Sequence, residues 1–400
     1  MISVIIPSHK SVDSLFHVTL QSLADQHYAK EDYEVIIVDN PRNDELREYV
    51  SNSCPDNFRM VESELGSNRS RNKGIGEAKF PIIAVTDDDT ILPTDWLKKL
   101  EAMFTLCPGA GCIGGPMDLK FIEDKPAWLE GELLFPLSYT VHHEAGDYLP
   151  RELNKDEGEW LVSANLAFPK SHWETVGGFK ENIGLHGLEK TTSNDELEFI
   201  EACEGLGKVY YCPTLMIKHQ IPPHRATVKY LCEREYGQGY ADGNMYMRQN
   251  PISSVNDIYH DYVQHHAAHF YFVESTHKTR EVISNEDVTR EYIRILLLTK
   301  TAKFIGMHEA LHGVKLWDVL KGFDGFVRPY EDREVPILNP TSQLSSLNLE
   351  QAEQHLEAVH NGPVPEYEAR TIPKLRKWQQ DQEELEKPGE VEDEDSQVGR

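Results

Sequence analysis

The stretch Pro81-Ile82-Ile83-Ala84-Val85-Thr86-Asp87-Asp88-Asp89 decides how this chain is read. Its first six residues have the length and composition of a strand buried on both faces, as in a parallel sheet. Three carboxylates follow without a break. At the mouth of a buried strand they repel one another and lose water, so a positive charge is expected beside them. A hard divalent cation with oxygen ligands, accompanied by phosphates, meets that need. An isolated Asp triplet is more often a turn. The surroundings of this one argue otherwise.

Working outward, Ser3-Val4-Ile5-Ile6 and Glu34-Val35-Ile36-Ile37-Val38 are two further apolar runs, and a short strand is expected near Phe58–Val61. Helical patterns separate them. Val12, Leu15, Phe16 and Leu23 share one helical face behind a capping Ser11. A helix spans about Asp44–Val50, another Asn68–Ala78, and a third carries Trp96, Leu97, Leu100, Met103 and Phe104 after a capping Thr94. Strands alternating with helices imply an open, doubly wound, mostly parallel sheet with helices on both faces. Ligands of such sheets bind beyond the carboxyl ends of the strands. Pro7-Ser8, Asp39-Asn40 and Asp87–Asp89 all stand at such ends, so three polar clusters converge on one crevice.

Composition sets outer limits. The 400 residues carry a formal charge of −27 with a pI near 5.0, which argues against nucleic acid or an anionic membrane surface as the main partner. Six scattered cysteines without a CxxC pair read as reduced core residues. No run approaches the roughly eighteen apolar residues of a membrane span, and Met1 leads at once into a strand with no leader pattern. A cytoplasmic protein is expected, peripheral to a membrane only through an acceptor or partner.

Beyond residue 107 the pattern is less regular. Strands are expected at Gly109–Pro116, Leu161–Phe168 and from Val209 towards His219, with helices at Lys170–Val176 and Asp195–Leu206 and a turn at Gly177-Gly178. After about residue 225 the chain reads as helical, with a stripe at Val288, Tyr292, Ile295, Leu296 and Leu298. The tail from Thr371 is acidic and lacks a core-forming composition. The expected layout is a transferase domain at 1–240, a helical extension at 241–370 and an acidic tail at 371–400.

Ile5-Ile6-Pro7-Ser8, Val38-Asp39-Asn40, Arg71-Asn72-Lys73-Gly74, Thr86–Asp89, Ala164–Phe168, Gly177-Gly178-Phe179 and Asp195-Glu196 occur in one order. Together they resemble a family 2 glycosyltransferase with the GT-A fold, over roughly residues 1–240. The resemblance implies a nucleotide-sugar donor (UDP-, GDP- or dTDP-linked), a Mn²⁺ or Mg²⁺ ion on its diphosphate, and inversion at the transferred sugar. The acceptor would be a hydroxyl of a glycan, a lipid-linked sugar or a protein.

The residues suit those roles chemically. Pro7, Ser8, Asp39, Arg71, Asp87 and Asp88 are the expected nucleotide-sugar contacts. Asp39 accepts from a base or a ribose hydroxyl, or else caps the segment after Pro41, and Arg71 offers a guanidinium to phosphate or a base edge. Asp87 and Asp89 resemble the two acids of the DxD motif, with Asp89 the principal metal ligand, Asp87 facing the ribose or sharing the ion, and Asp88 pointing away. His219 resembles the late metal-ligating His, with His224 as its competitor. Asp195 and Glu196 are the candidate bases at a helix start. Their order departs from the family's Glu-Asp, so the base is one of the two; the plainer alternative is an acidic turn complementing the helix dipole. Asn165 and Trp128 are expected on the acceptor side, with Trp160 as a further stacking candidate that packing would also explain.

A rival motif is His308-Glu309-Ala310-Leu311-His312, which matches HExxH and on a helix places two His beside a Glu, as in zinc peptidases. Gly306 and Gly313 bracket it, which weakens the expectation of a continuous helix. His265, His266 and His269 read as a solvated helical face. Two other classes therefore stand beside the transferase: a zinc peptidase, and a non-catalytic nucleotide-binding scaffold. The helical extension would select the acceptor, a second copy of the chain or another partner.

Overall fold

The computed structural model describes residues 1–8, 14–39, 42–141, 148–155, 159–181, 196–249 and 286–312. Ser11, Asn40, Pro41, Asp195, the His265–His269 cluster and the acidic tail lie outside them. The described residues all fall within one compact unit.

The alternating start of the chain appears as β1 (Ile2–Ser8), α1 (Ser14–Ala24), β2 (Tyr33–Asp39), α2 (Asp44–Ser53), β3 (Phe58–Glu62), α3 (Ser67–Gly76) and β4 (Ile82–Val85). The chain continues through β5 (Thr90–Ile91), α4 (Trp96–Leu106), β6 (Cys112–Gly114), β7 (Met117–Phe121), β8 (Arg151–Glu152), β9 (Leu166–Pro169), α5 (Lys170–Val176), α6 (Leu197–Glu204), β10 (Val209–Tyr211) and β11 (Ile217–Ile221). Eight strands form one sheet in the order β3-β2-β1-β4-β9-β6-β10-β8, and β5-β11-β7 form a second. The pairings β3/β2, β2/β1, β1/β4 and β6/β10 are parallel, whereas β9 runs antiparallel between β4 and β6. This is a mostly parallel α/β sheet with helices on both faces, as the alternation of strands and helices implied.

The apolar runs sort cleanly onto those faces. Side chains alternate along a strand, so Ile2, Val4, Ile6, Val35 and Ile37 enter one core with Phe16, Leu20, Leu46 and Trp96. Ile5, Ile36, Val38, Ile83 and Val85 enter the other with Ile75, Phe168, Phe179 and Phe199. Helix α3 lies so close to the sheet that a Cβ on Gly74 would sit 2.6 Å from Ile5 Cγ2 and 2.8 Å from Val38 Cγ2. That glycine answers to packing.

Two helices complete the described chain, α7 (Val228–Gln249) and α8 (Glu286–His312). The expected stripe on α8 is seen at Tyr292, Ile295 and Leu296, which are buried with Leu133, Leu137, Leu231 and Tyr236. Gly306 does not interrupt α8, contrary to the sequence expectation. A Cβ there would approach the Tyr236 carbonyl oxygen to 2.0 Å, and one on Gly239 of α7 would approach that of Lys303 to 1.9 Å. Glycine lets the two backbones touch, and the contact offsets its low helix propensity. The HExxH segment belongs to this helix pairing: Met307 and Glu309 are buried. The side chain of His312 lies outside the described residues. No helix among the described residues is long and apolar enough to cross a membrane, and the six cysteines are free thiols.

Candidate functional site

The parallel register brings the expected polar strand ends together. Ser8 pairs with Asp39 across β1/β2, and Asp39 with Glu62 across β2/β3. Beyond β4 the chain stays beside β1, through the bond from Thr86 N–H to the Ile5 carbonyl, 3.1 Å. The Ser8 hydroxyl then reaches Asp88 Oδ2 at 3.2 Å. These groups border the place where the strand order reverses, between β1 and β4.

A tight turn, not an extended segment, presents the Asp triplet. Thr86 Oγ1 and Thr90 Oγ1 lie 2.9 Å apart, and the Thr90 hydroxyl donates to the Asp87 carbonyl at 3.0 Å. Thr19 of α1 lies beneath, its Oγ1 2.7 Å from the Thr90 carbonyl and 3.1 Å from that of Asp88. The turn sends the three carboxylates to different places. Asp87 is half-exposed, with Arg71 Nη2 3.9 Å away. Asp88 is turned towards Ser8. Asp89 is buried and faces β11.

Strand β11 closes this side. Its antiparallel pairing with β5 sets His219 opposite Thr90, and the Gln220 N–H donates to the Asp89 carbonyl at 2.8 Å. His219 Nε2 lies 3.3 Å from Asp89 Oδ1, while its Nδ1 lies 2.9 Å from the Leu137 carbonyl. A carbonyl only accepts, so Nδ1 carries the hydrogen and Nε2 presents a lone pair. Arg225, which sequence reasoning did not single out, places Nη1 2.9 Å from Asp89 Oδ2 and 3.0 Å from His219 Nε2. Burial works against its charge, but Asp89 more than offsets this and the pKa of Arg225 is raised. Nothing in the local sequence distinguishes Arg225 from an ordinary surface arginine. His224 is exposed on the same turn, edge-on to Tyr230.

These residues fit a divalent cation. A carboxylate oxygen and an imidazole lone pair face each other at 3.3 Å, with the Arg225 guanidinium between them. No cluster of three or more His, Cys, Asp or Glu suited to a metal occurs among the described residues. Such a site depends on phosphate oxygens and water for its other positions, which is the usual habit of Mg²⁺.

Several expected contacts have structural duties. Asp39, 2% exposed, accepts the Asn43 N–H at 2.7 Å and pairs with Arg47 at 3.3 Å, both through Oδ2. Asn43 in turn caps α2 through the Leu46 N–H. Arg71 is buried: it donates to Asn68 and Ser163, both at 2.8 Å, and its guanidinium lies 5.8 Å from the Phe179 ring centroid. It is held against the Asp87 carboxylate from within the protein. The neighbouring Asn72 accepts from the Phe179 N–H at 2.9 Å and from Trp173 Nε1 at 3.0 Å. It thereby clamps the Gly177-Gly178 turn, whose φ angles of 84° and 79° favour glycine.

Asn165, expected on the acceptor side, has structural partners of its own. At 3% exposure its amide donates to the Pro116 and Leu215 carbonyls at 3.1 and 2.8 Å and accepts from Trp96 Nε1 at 3.2 Å. Both N–H groups are committed within the protein. Trp128 is half-buried against the third core, and Trp160 packs edge-on to Phe135 with ring centroids 5.3 Å apart. Glu196 stands at the N-terminus of α6 without capping it. Two residues on, burial would raise the Glu198 pKa, but Lys180 and Arg248 hold it below the usual carboxylate range.

Residues 3–138 match the family model described as glycosyl transferase family 2. The chain is 28% identical over 124 residues to glycosyltransferase AglE of Haloferax volcanii, a match spanning 30% of this chain and 40% of the relative's length. Among solved structures, S. aureus TarS 1-349 superposes with a TM-score of 0.42 at 13% identity, over 78% of this chain and 90% of that one. GalNAc-T7 with UDP, GalNAc and Mn²⁺ gives 0.42 at 14% identity, over 61% and 50%.

Proposed function

With residues 3–138 assigned to glycosyl transferase family 2, we propose that this protein moves a sugar from a nucleotide-sugar donor to an acceptor hydroxyl, with inversion at the anomeric carbon. The observation that most supports the reading is Asp89 facing the His219 lone pair at 3.3 Å, beside the strand ends that carry Ser8, Asp39 and Asp87. Asp39 and Ser8 hold the nucleoside. Arg71 keeps Asp87 oriented towards the ribose side. Asp89 and His219 hold Mn²⁺ or Mg²⁺, which when bound neutralises charge on the departing diphosphate.

The acceptor hydroxyl attacks the anomeric carbon as the bond to the diphosphate oxygen breaks on the opposite face. Its proton passes to Asp195 or to Glu196, the latter at the start of α6. The helical extension at 241–370, which includes α8, serves acceptor choice or a partner subunit. Glycans, lipid-linked sugars and proteins all present hydroxyls of the required kind.

The test is a panel of UDP-, GDP- and dTDP-sugars scored for Mn²⁺-dependent turnover by the wild type and Asp89→Ala. Turnover of one donor class, lost without the cation and in Asp89→Ala, is the expected result. Full activity in the variant would overturn the assignment of Asp89. Nucleotide binding without turnover of any donor or acceptor would leave a scaffold in place of an enzyme. If Asp195→Ala and Glu196→Ala each keep the wild-type rate, the base lies elsewhere.

A further inference from the structure

The pair read above as cation ligands already holds a cation that belongs to the chain. One nitrogen, Arg225 Nη1, spans Asp89 Oδ2 at 2.9 Å and His219 Nε2 at 3.0 Å. Because His219 spends its only N–H on Leu137, Nε2 has a single lone pair, and that pair accepts from the guanidinium. A lone pair that accepts an Arg225 N–H cannot at the same time ligate a metal ion. The spacing of the two donors suits a metal nonetheless. Asp89 Oδ1 and His219 Nε2 are 3.3 Å apart, close to the ~3 Å edge of an octahedron with bonds of about 2.1 Å.

We propose that Arg225 is an internal counter-cation, which keeps Asp89 and His219 paired until a divalent cation displaces its guanidinium. The proposal rests on the reading of Asp89 and His219 as cation ligands. Three features support exchange over a permanent bridge. Arg225 sits on the short turn Pro223–Arg225 rather than within β11 or α7. Its side chain keeps 18% exposure, so it is not sealed within the core. The Tyr230 ring lies 5.9 Å from the guanidinium carbon, an aromatic face that the guanidinium can keep when it leaves the pair. The expected consequence is weak binding of metal alone, since each ion must displace a charge-assisted hydrogen bond.

The experiment measures Mn²⁺ affinity of the full chain without nucleotide, by the electron paramagnetic resonance signal of free Mn²⁺, for wild type, Arg225→Met and Arg225→Lys. Arg225→Met removes the competitor, and its Mn²⁺ affinity should rise on the order of tenfold. Arg225→Lys, which keeps the charge on a less committed head group, should fall between the two. An unchanged or weaker affinity in a folded Arg225→Met protein overturns the proposal.

Should that variant fail to fold, the wild type answers by itself. The Arg225 guanidinium N–H signals should shift when Mg²⁺ is added, and Mg²⁺ binding that leaves them in place also overturns the exchange. If neither wild type nor Arg225→Met binds Mn²⁺ while a donor is turned over without cation, the exchange falls and the transferase stands. If Arg225→Met binds Mn²⁺ more tightly but no donor is turned over, the exchange stands and the transferase reading falls.

Discussion

The two sheets of this protein place their charged residues in opposite ways. The eight-stranded sheet is assembled largely from neighbouring βα units, and its polar groups sit where strands run out: Ser8 beside Asp39, with Asp88 joined to Ser8. The three-stranded sheet is assembled from pieces far apart in the chain, β5, β7 and β11, and it surrounds its charges. Asp89, His219 and Arg225 meet there largely out of water. Where charges stand at strand ends, single substitutions should mostly alter ligand contact. Where they are enclosed, a substitution strands a partner, and stability and activity move together.

The strongest test of that contrast lies at the joint between the sheets. Asn165, just before β9, reaches the residue ahead of β7, the loop ahead of β11, and Trp96 of α4. Asn165→Ala leaves three buried partners without their bonds, and unfolding in denaturant should show a loss of roughly 3–5 kcal/mol. A variant of wild-type stability that fails only in transfer would return Asn165 to the acceptor side. Next in size is Gly74→Ala, which pushes α3 off β1 and β2; a cost of about 1–3 kcal/mol is expected, read from the same melts.

A smaller effect should come from Gln220→Ala. It removes the side-chain bond from β11 to the Leu15 carbonyl, 3.0 Å, at about 1 kcal/mol, yet turnover should fall by more than that stability loss explains. Equal stability and unchanged turnover would mean that β11 needs no anchoring to α1. The smallest effect concerns pH. Burial would raise the Glu34 pKa, but the Lys79 N–H, Ser3 and Arg59 outweigh it and hold it below the usual carboxylate range. A depressed carboxylate contributes stability above its unfolded pKa and loses it as pH falls through the folded value. Glu34→Gln should therefore be less stable than wild type at neutral pH and converge with it in acid. Parallel stability curves down to acid pH would remove Glu34 from the account.

Much of the first sheet was legible because buried parallel strands are apolar on both faces and the helices between them keep a single stripe. Those patterns are local. The positions of Ser8, Asp39 and the Asp triplet follow, since a strand end is set by the run that precedes it. Gly306 was misread because helix propensity is also local, while the contact that requires glycine comes from Tyr236 on another helix. The internal partners of Asn165 were not legible for a related reason: an amide in a loop looks the same in sequence whether it meets a ligand or three buried groups of its own protein.

What the sequence determined by itself was the alternation of strands and helices and the order of the polar strand ends, both consequences of side-chain periodicity. What only the tertiary structure decided was the partner of each charge. Asp87, Asp88 and Asp89 are consecutive and chemically identical, but a turn sends them towards Arg71, Ser8 and the His219–Arg225 pair. Electrostatic partnership depends on distance and burial in space, and residues as far apart in the chain as Asp89 and Arg225 acquire both only when β11 closes against β5.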